Sequence, residues 1–287
     1  MKYSEELLKN VQRAELEILR DFQELCKKHG LRYFAIGGTA LGTLRHKGFI
    51  PWDDDIDVGM PREDYEKFVQ IADRDYADRY TIVNAERFSE CSMMNTHWSR
   101  NGTRFCERVV MGASYPCGIF LDIFPFDPLP DSDAAMKRQA YAAWIWDKLL
   151  ILSLLPKPVV RYGPIKTKIV LAGCAVVHAV LSLFPKAPAF FRDRCKKTCM
   201  KYTGQKTGRC GYLCSVSPFG NMIDISELYP LQEMPFEDTV MMMPAQAHAM
   251  LTRAYGDYMQ LPPPEKRVNH APEIVEFGEN FPGEKTV

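Results

Sequence analysis

Four aspartates crowd into five residues, Asp53, Asp54, Asp55 and Asp57, and a fifth, Asp122, stands inside the apolar run GIFLDIFPFDPLP. Like charges about 4 Å apart repel by ~1 kcal/mol even in water, so such a cluster calls for a cation. In Asp55-Ile56-Asp57 the alternation of a strand turns both carboxylates to one face. A carboxylate isolated in an apolar strand is costly to bury unless it is paired or binds a metal. Asp122 is therefore expected to complete the cluster, with a strand-end or capping role as the competing reading. An all-oxygen site of this kind suits Mg²⁺ or Mn²⁺, hard cations that also grip phosphate oxygens. One or two such ions can neutralise a diphosphate, activate an attacking hydroxyl and stabilise a leaving group. Upstream, Gly37-Gly38-Thr39 suits a close backbone approach to phosphate, with the N–H groups of the following helix behind it. Arg45, at the far end of that helix, can bind phosphate bidentately.

Spacing tests the other acidic chemistries. Asp53, Asp55 and Asp57 would fit the first ligands of a calcium hand, but the required Gly and Glu are replaced by Val58 and Asp64, and Pro61 lies inside the loop; that reading fails. A D-x-D glycosyltransferase using a nucleotide sugar stays open, although it leaves the Gly-Gly-Thr unexplained. Trp52 is suited either to stacking on a base or cationic headgroup or to packing its turn. His46 and His97 are candidates for acceptor binding or proton transfer, against a structural role. Tyr115, Tyr255 and Tyr258 are candidates for an aromatic cage, against a place in the core. Arg104, after the turn signal Asn101-Gly102, is a candidate to face the donor.

The elements that must position these groups are read from periodicity. Leu7, Leu8, Val11, Ile18, Leu19, Phe22 and Leu25 recur at helical spacing before a stop at Gly30. Arg32 to Ile36 reads as a buried strand entering Gly37-Gly38, and Thr39 as the cap of a helix over Ala40 to Arg45. Asp55 to Met60 reads as a strand and Arg62 to Ala72 as a helix; strands follow over Tyr80–Asn84, Ser92–Arg100 and Gly118–Ile123. Residues 134–207 are expected to form a helical insertion between a catalytic part, 1–133, and a part completing it, 208–287, with a loose tail from about Ala271. The fold class is α/β (α+β), a small mixed sheet flanked by helices.

The chain has 287 residues, 46% hydrophobic and 25% charged, with no net charge, which argues against a nucleic-acid partner. The charge is unevenly spread. From Lys148 to Arg209 there are 13 Lys and Arg and one acid, Asp193, a local charge of +12. Within that stretch Ile169 to Phe184 runs 16 residues without a charge, short of the ~20 needed to span a bilayer. Two readings stay open: buried helices, or helices lying in the plane of an anionic membrane surface. The amphipathic start is no signal peptide, so a cytoplasmic location is expected, with peripheral contact to the inner face of the plasma membrane if the second reading holds. Nine scattered cysteines then stay reduced. Cys195-x3-Cys199 and Cys210-x3-Cys214 invite zinc, although i, i+4 on a helix is also a core-facing spacing.

The block GGTALGTLRHKGFIPWDDDIDVGMPREDYEKF, with GIFLDIFPFDPLP and YGDYMQLPPPEKRVNH, resembles the LicD family of the nucleotidyltransferase-like fold superfamily, from about Tyr33 to His270. The resemblance implies a phosphotransferase that moves a phosphoalcohol, typically phosphocholine from CDP-choline, onto a surface glycan such as lipopolysaccharide, teichoic acid or capsule. It makes Gly37, Gly38 and Thr39 the phosphate-facing turn and Asp55, Asp57 and Asp122 the catalytic metal ligands. Asp53 becomes an additional ligand, and Arg45, Lys266 and Arg267 hold the donor phosphates. A non-catalytic glycan- or nucleotide-binding relative is the remaining alternative.

Overall fold

The computed structural model describes residues 4–107, 111–160, 163–267, 269 and 272–278. Helix α1 (Glu5–His29) starts where the Ser4 hydroxyl accepts the Leu7 N–H at 3.1 Å and stops at Gly30, whose φ of 64° is the left-handed conformation glycine adopts freely. Its acidic first turn and basic last turn complement the helix dipole. The apolar stripe expected for it is buried from Leu8 to Leu25.

A seven-stranded mixed sheet is built around the long strand β6 (Phe120–Leu129). On one side β6 runs parallel to β2 (Asp57–Pro61), which pairs with the two-residue β1 (Phe34–Ala35). On the other it pairs antiparallel with β4 (Thr96–Arg100), and β4 with β3 (Tyr80–Val83). The far end of β6 turns to β7 (Arg209–Tyr212), which pairs with β8 (Asn221–Asp224). The part after the insertion therefore joins the same sheet. The core on one face packs α1 and α3 (Arg62–Asp75) around Trp98, which stacks on Tyr80 and meets Phe22, Phe68 and Tyr76 edge-on. Across β2, Phe34 and Phe126 meet edge-to-face over Gly59; a Cβ there would lie 2.7 Å from one ring and 2.8 Å from the other.

Arg62 ties α3 to β6. Its Nε and Nη2 each donate at 2.8 Å to the two oxygens of Asp127, and both side chains are buried. Burial pushes the Asp127 carboxyl up to about 6 even against the pull of Arg62.

The insertion consists of α4 (Asp133–Leu154), α5 (Pro164–Leu181) and α6 (Ala187–Cys199). α6 packs along α4, with Met136, Ala140, Ala143, Cys195 and Cys199 in a core shared with Leu129 and Leu213. α5 rests chiefly on α4, and none of its described side chains is buried. Among the described residues, no helix is long and apolar enough to cross a membrane.

Three local expectations are corrected. The Gly-Gly is not a turn ahead of a helix, because α2 (Gly37–His46) already begins at Gly37. Thr39 does not cap it; its hydroxyl accepts the Asp57 N–H at 2.8 Å. The C-terminal tail is not wholly loose: Ala271 lies outside the described residues, but β11 (Ile274–Glu276) pairs with β5 (Arg104–Cys106). The remaining elements are the short α7 (Ile225–Leu228), the hairpin β9 (Gln232–Phe236) and β10 (Thr239–Met243), and α8 (Ala247–Tyr255).

Candidate active site

Three strands bring the acidic groups together. Asp57 on β2 is the register partner of Asp122 on β6, and Asp122 is the partner of His97 on β4. Asp122 was expected in mid-strand; it lies near the start of β6, where its N–H donates to the Ile56 carbonyl at 3.0 Å. One carboxylate oxygen accepts from Asn95 Nδ2 at 2.6 Å, and the other lies 3.7 Å from His97 Nε2. The His97 ring lies flat on Phe120, centroids 3.6 Å apart, which fixes its orientation. Asn95 is itself held by the Tyr212 hydroxyl at 3.3 Å.

Asp55 and Asp53 precede β2 in a segment pinned from α1, where Gln12 Nε2 donates to the Asp53 carbonyl at 2.8 Å. Asp53, Asp55 and Asp57 are half-buried and Asp54 is fully buried. The first turn of α2 presses against two of these carboxylates. A Cβ on Gly37 would lie 3.1 Å from Asp57 Oδ2, and one on Gly38 2.6 Å from Asp53 Oδ2. The glycines therefore admit carboxylates at the positive end of a helix, a placement that favours negative charge. The N–H groups expected to face phosphate share their space with Asp53 and Asp57.

Burial, with the charges of Asp55, Asp122 and Asp53, pushes the Asp57 carboxyl well above its ordinary range. Behind the cluster, Glu15 on α1 is shifted the same way, first by burial and then by Asp55, Asp54, Asp53 and Asp57. Its Oε2 has no hydrogen-bond partner among the described residues. Sequence reasoning passed over both Glu15 and Asn95. Glu15 carried a signal, since it interrupts the buried stripe Val11, Ile18, Phe22. Asn95 carried none.

The donor set is all oxygen and its charge is in excess, which fits a hard divalent cation. Among the described residues no three of these acids bring oxygens within 4.8 Å of one another. That spread fits Mg²⁺, which keeps several waters and is held by one or two carboxylates together with substrate phosphates. Asp55, Asp57 and Asp122, with Asp53 beside them, are the residues that would hold it.

The basic residues form a second group. Arg45 donates from Nε to His46 and from Nη1 to the Tyr258 carbonyl at 2.5 Å. Burial and then the charge of Arg267 lower its pKa. Arg267 lies over the Trp52 ring, 5.0 Å from its centroid, one residue from Asp53. Two guanidiniums that repel each other stand beside the acidic turn. Lys266 is exposed on the short turn Pro264–Lys266. Tyr255 reaches the cluster, with its hydroxyl pKa raised by burial and by Asp57, Asp53 and Asp55. Tyr258 instead bonds His248. Arg104 does not face the site and pairs with Glu276 at 2.9 Å.

Two cavities flank the carboxylates. One of about 590 Å³ is lined by Ile36, Gly37, Met250 and Tyr255 among others. The second, about 300 Å³, is lined by Asp55, Asp122, His97 and Tyr115.

The LicD/FKTN/FKRP nucleotidyltransferase domain family matches residues 30–148. The lipopolysaccharide cholinephosphotransferase LicD of Haemophilus influenzae is 27% identical over 277 residues, 92% of this chain and 95% of that protein. The ribitol 5-phosphate transferase FKRP of Homo sapiens is 42% identical over 59 residues, 21% of this chain and 12% of its own length. The matched region, residues 30–148, contains α2, β2 and β6, and with them all five site aspartates; over it the chain is similar to the LicD/FKTN/FKRP nucleotidyltransferase domain.

Proposed function

We propose that this protein moves a phosphoalcohol, of the phosphocholine class, from a CDP-activated donor to a hydroxyl of a cell-surface glycan such as lipopolysaccharide, teichoic acid or capsule. The observation that carries the reading is the row Asp57, Asp122, His97 across three neighbouring strands, with a cavity of about 300 Å³ lined by Asp55, Asp122 and His97. Bound between the carboxylates, Mg²⁺ or Mn²⁺ would neutralise the donor diphosphate and polarise the oxygens around phosphorus.

The chain's own groups supply the rest. The acceptor hydroxyl oxygen attacks the phosphorus that bears the alcohol, and the bond from that phosphorus to the bridging oxygen breaks, releasing CMP. Asp122 receives the hydroxyl proton, since Asn95 holds one oxygen and leaves the other toward His97. Arg45 and Arg267 bind the charge of the donor phosphates, and Trp52 fixes Arg267.

The acceptor side has its own support. On α5 the outward residues Ile165 (77% exposed), Ile169 (68%), Val176 (66%) and Val180 (53%) follow one another at helical spacing, and Leu183 (73%) and Phe184 (60%) extend the row. A contiguous apolar face of this kind inside a stretch of charge +12 fits an anionic membrane surface, where a lipid-linked glycan would be met.

The test is a screen of CDP-alcohols and nucleotide sugars for Mg²⁺-dependent release of nucleotide in the presence of glycan acceptors. CMP released from a CDP-alcohol, with phosphoalcohol on the glycan, is the expected result. Consumption of a nucleotide sugar instead would make the protein a D-x-D glycosyltransferase. No turnover of either class would make it a binding relative.

A further inference from the structure

Away from the acidic site, three cysteines converge between the insertion and the sheet. Cys195 and Cys199 lie one turn apart on α6 and face the same way, and Cys214 follows β7. The sulfurs of Cys195 and Cys214 are 3.3 Å apart, those of Cys199 and Cys214 3.7 Å, and all three lie within 4.8 Å of one another. Four thiolates arranged around zinc at Zn–S distances of about 2.3 Å have sulfurs about 3.8 Å apart. The pairing suggested by sequence is corrected here. Cys210, the fourth candidate, packs with Phe34, Phe126 and Tyr212 and is not among the sulfurs that converge.

The surroundings suit a soft cation. The sulfurs sit among Leu129, Ala143 and Leu213, with the thioethers of Met94 and Met222 against the cluster. The buried carboxylate of Asp147 on α4 is within electrostatic reach of Cys195 and Cys199.

We propose that Cys195, Cys199 and Cys214 bind a thiophilic divalent cation of the zinc class, which fastens α6 of the insertion to the sheet. The fourth position of the tetrahedron falls to water. The site stands apart from the phosphotransfer chemistry and its soft ligands discriminate against Mg²⁺. Its ion is structural, and its binding energy adds to folding because the ligands are scattered in the unfolded chain.

The full chain, purified without chelator after growth with added zinc, should carry about one zinc per chain by elemental mass spectrometry, released when the thiols are titrated with a mercurial. Cys199→Ala and Cys214→Ala should lose that zinc, while Cys174→Ser, on α5, should keep it. Should the first two variants fail to fold, cobalt loaded into the wild-type protein decides the matter. A thiolate-to-cobalt charge-transfer band supports the site, and cobalt bound without that band overturns it. Wild-type protein free of zinc, or one in which mass spectrometry finds a Cys195–Cys214 disulfide, also overturns it.

Discussion

Asp57 and Asp122 are register partners on two parallel strands, although 65 positions separate them in the chain. Their side chains therefore project together from one end of the sheet, and neither can leave without breaking the ladder. Asp57→Asn removes one charge from a repulsive cluster while keeping its shape. It should lower turnover by ~10³-fold or more, about 4 kcal/mol of transition-state stabilisation. The midpoint of thermal unfolding should be unchanged or higher. A fully active variant would remove the carboxylates from the mechanism.

Asn95 is expected to act through Asp122. Asn95→Ala frees one oxygen of that carboxylate and should cost roughly 10–100-fold in kcat, the usual penalty for losing a partner that orients a ligand. KM for the donor should change little, because Asn95 bonds Asp122 and neither of the arginines that bind the donor phosphates. A rise in KM with kcat intact would place Asn95 in substrate binding instead.

Asp57 also predicts how stability depends on pH. Its folded pKa is raised above the ordinary 3.8. Between those values the unfolded chain holds fewer protons than the folded one, so metal-free stability falls as pH rises through this window. Glu15 adds to the same slope. Mg²⁺ competes with the proton and should reverse the loss. In chelator the unfolding temperature should be lower at about pH 8 than at about pH 5. Mg²⁺ at 100 times its dissociation constant should restore roughly 2.7 kcal/mol at the higher pH and less at the lower. Equal protection at both would show that the ion does not bind these carboxylates.

The ion pair below the site has a structural role. Arg62→Ala leaves Asp127 buried and unpaired, which should cost roughly 3–5 kcal/mol in urea unfolding. Replacing the pair together, with Arg62→Met and Asp127→Leu, should recover most of that loss. A single variant as stable as wild type would show that water reaches Asp127.

Much of this was legible in the sequence because it is local. The α1 stripe, the helical run after Asp133 and the acid Asp122 among apolar neighbours each show in a short window of pattern or composition. What sequence reasoning missed depends on distant partners. The strand expected over Arg32 to Ile36 is present but only as the two residues of β1, held by pairing with β2. β5 finds its partner in β11 some 170 positions later, which draws Arg104 away to Glu276. Thr39 had the side chain for a cap, but the Asp57 N–H claimed its hydroxyl.

The outer face of α5 makes the last prediction. A soluble helix with Ile165, Ile169, Val176 and Val180 turned outward gains nothing from that exposure, whereas a bilayer interface rewards each side chain it buries. Basic residues near an anionic surface add about 1 kcal/mol apiece, screened by salt. The protein should therefore sediment with vesicles containing phosphatidylglycerol at low salt, release as salt rises, and ignore vesicles of phosphatidylcholine alone. The double change Val176→Glu and Val180→Glu opposes both attractions and should weaken vesicle binding at least ~10-fold. The fold should survive, because none of the described α5 side chains is buried. Indifference to anionic vesicles, or a dimer in solution that the same double change dissociates, would make this face a protein interface.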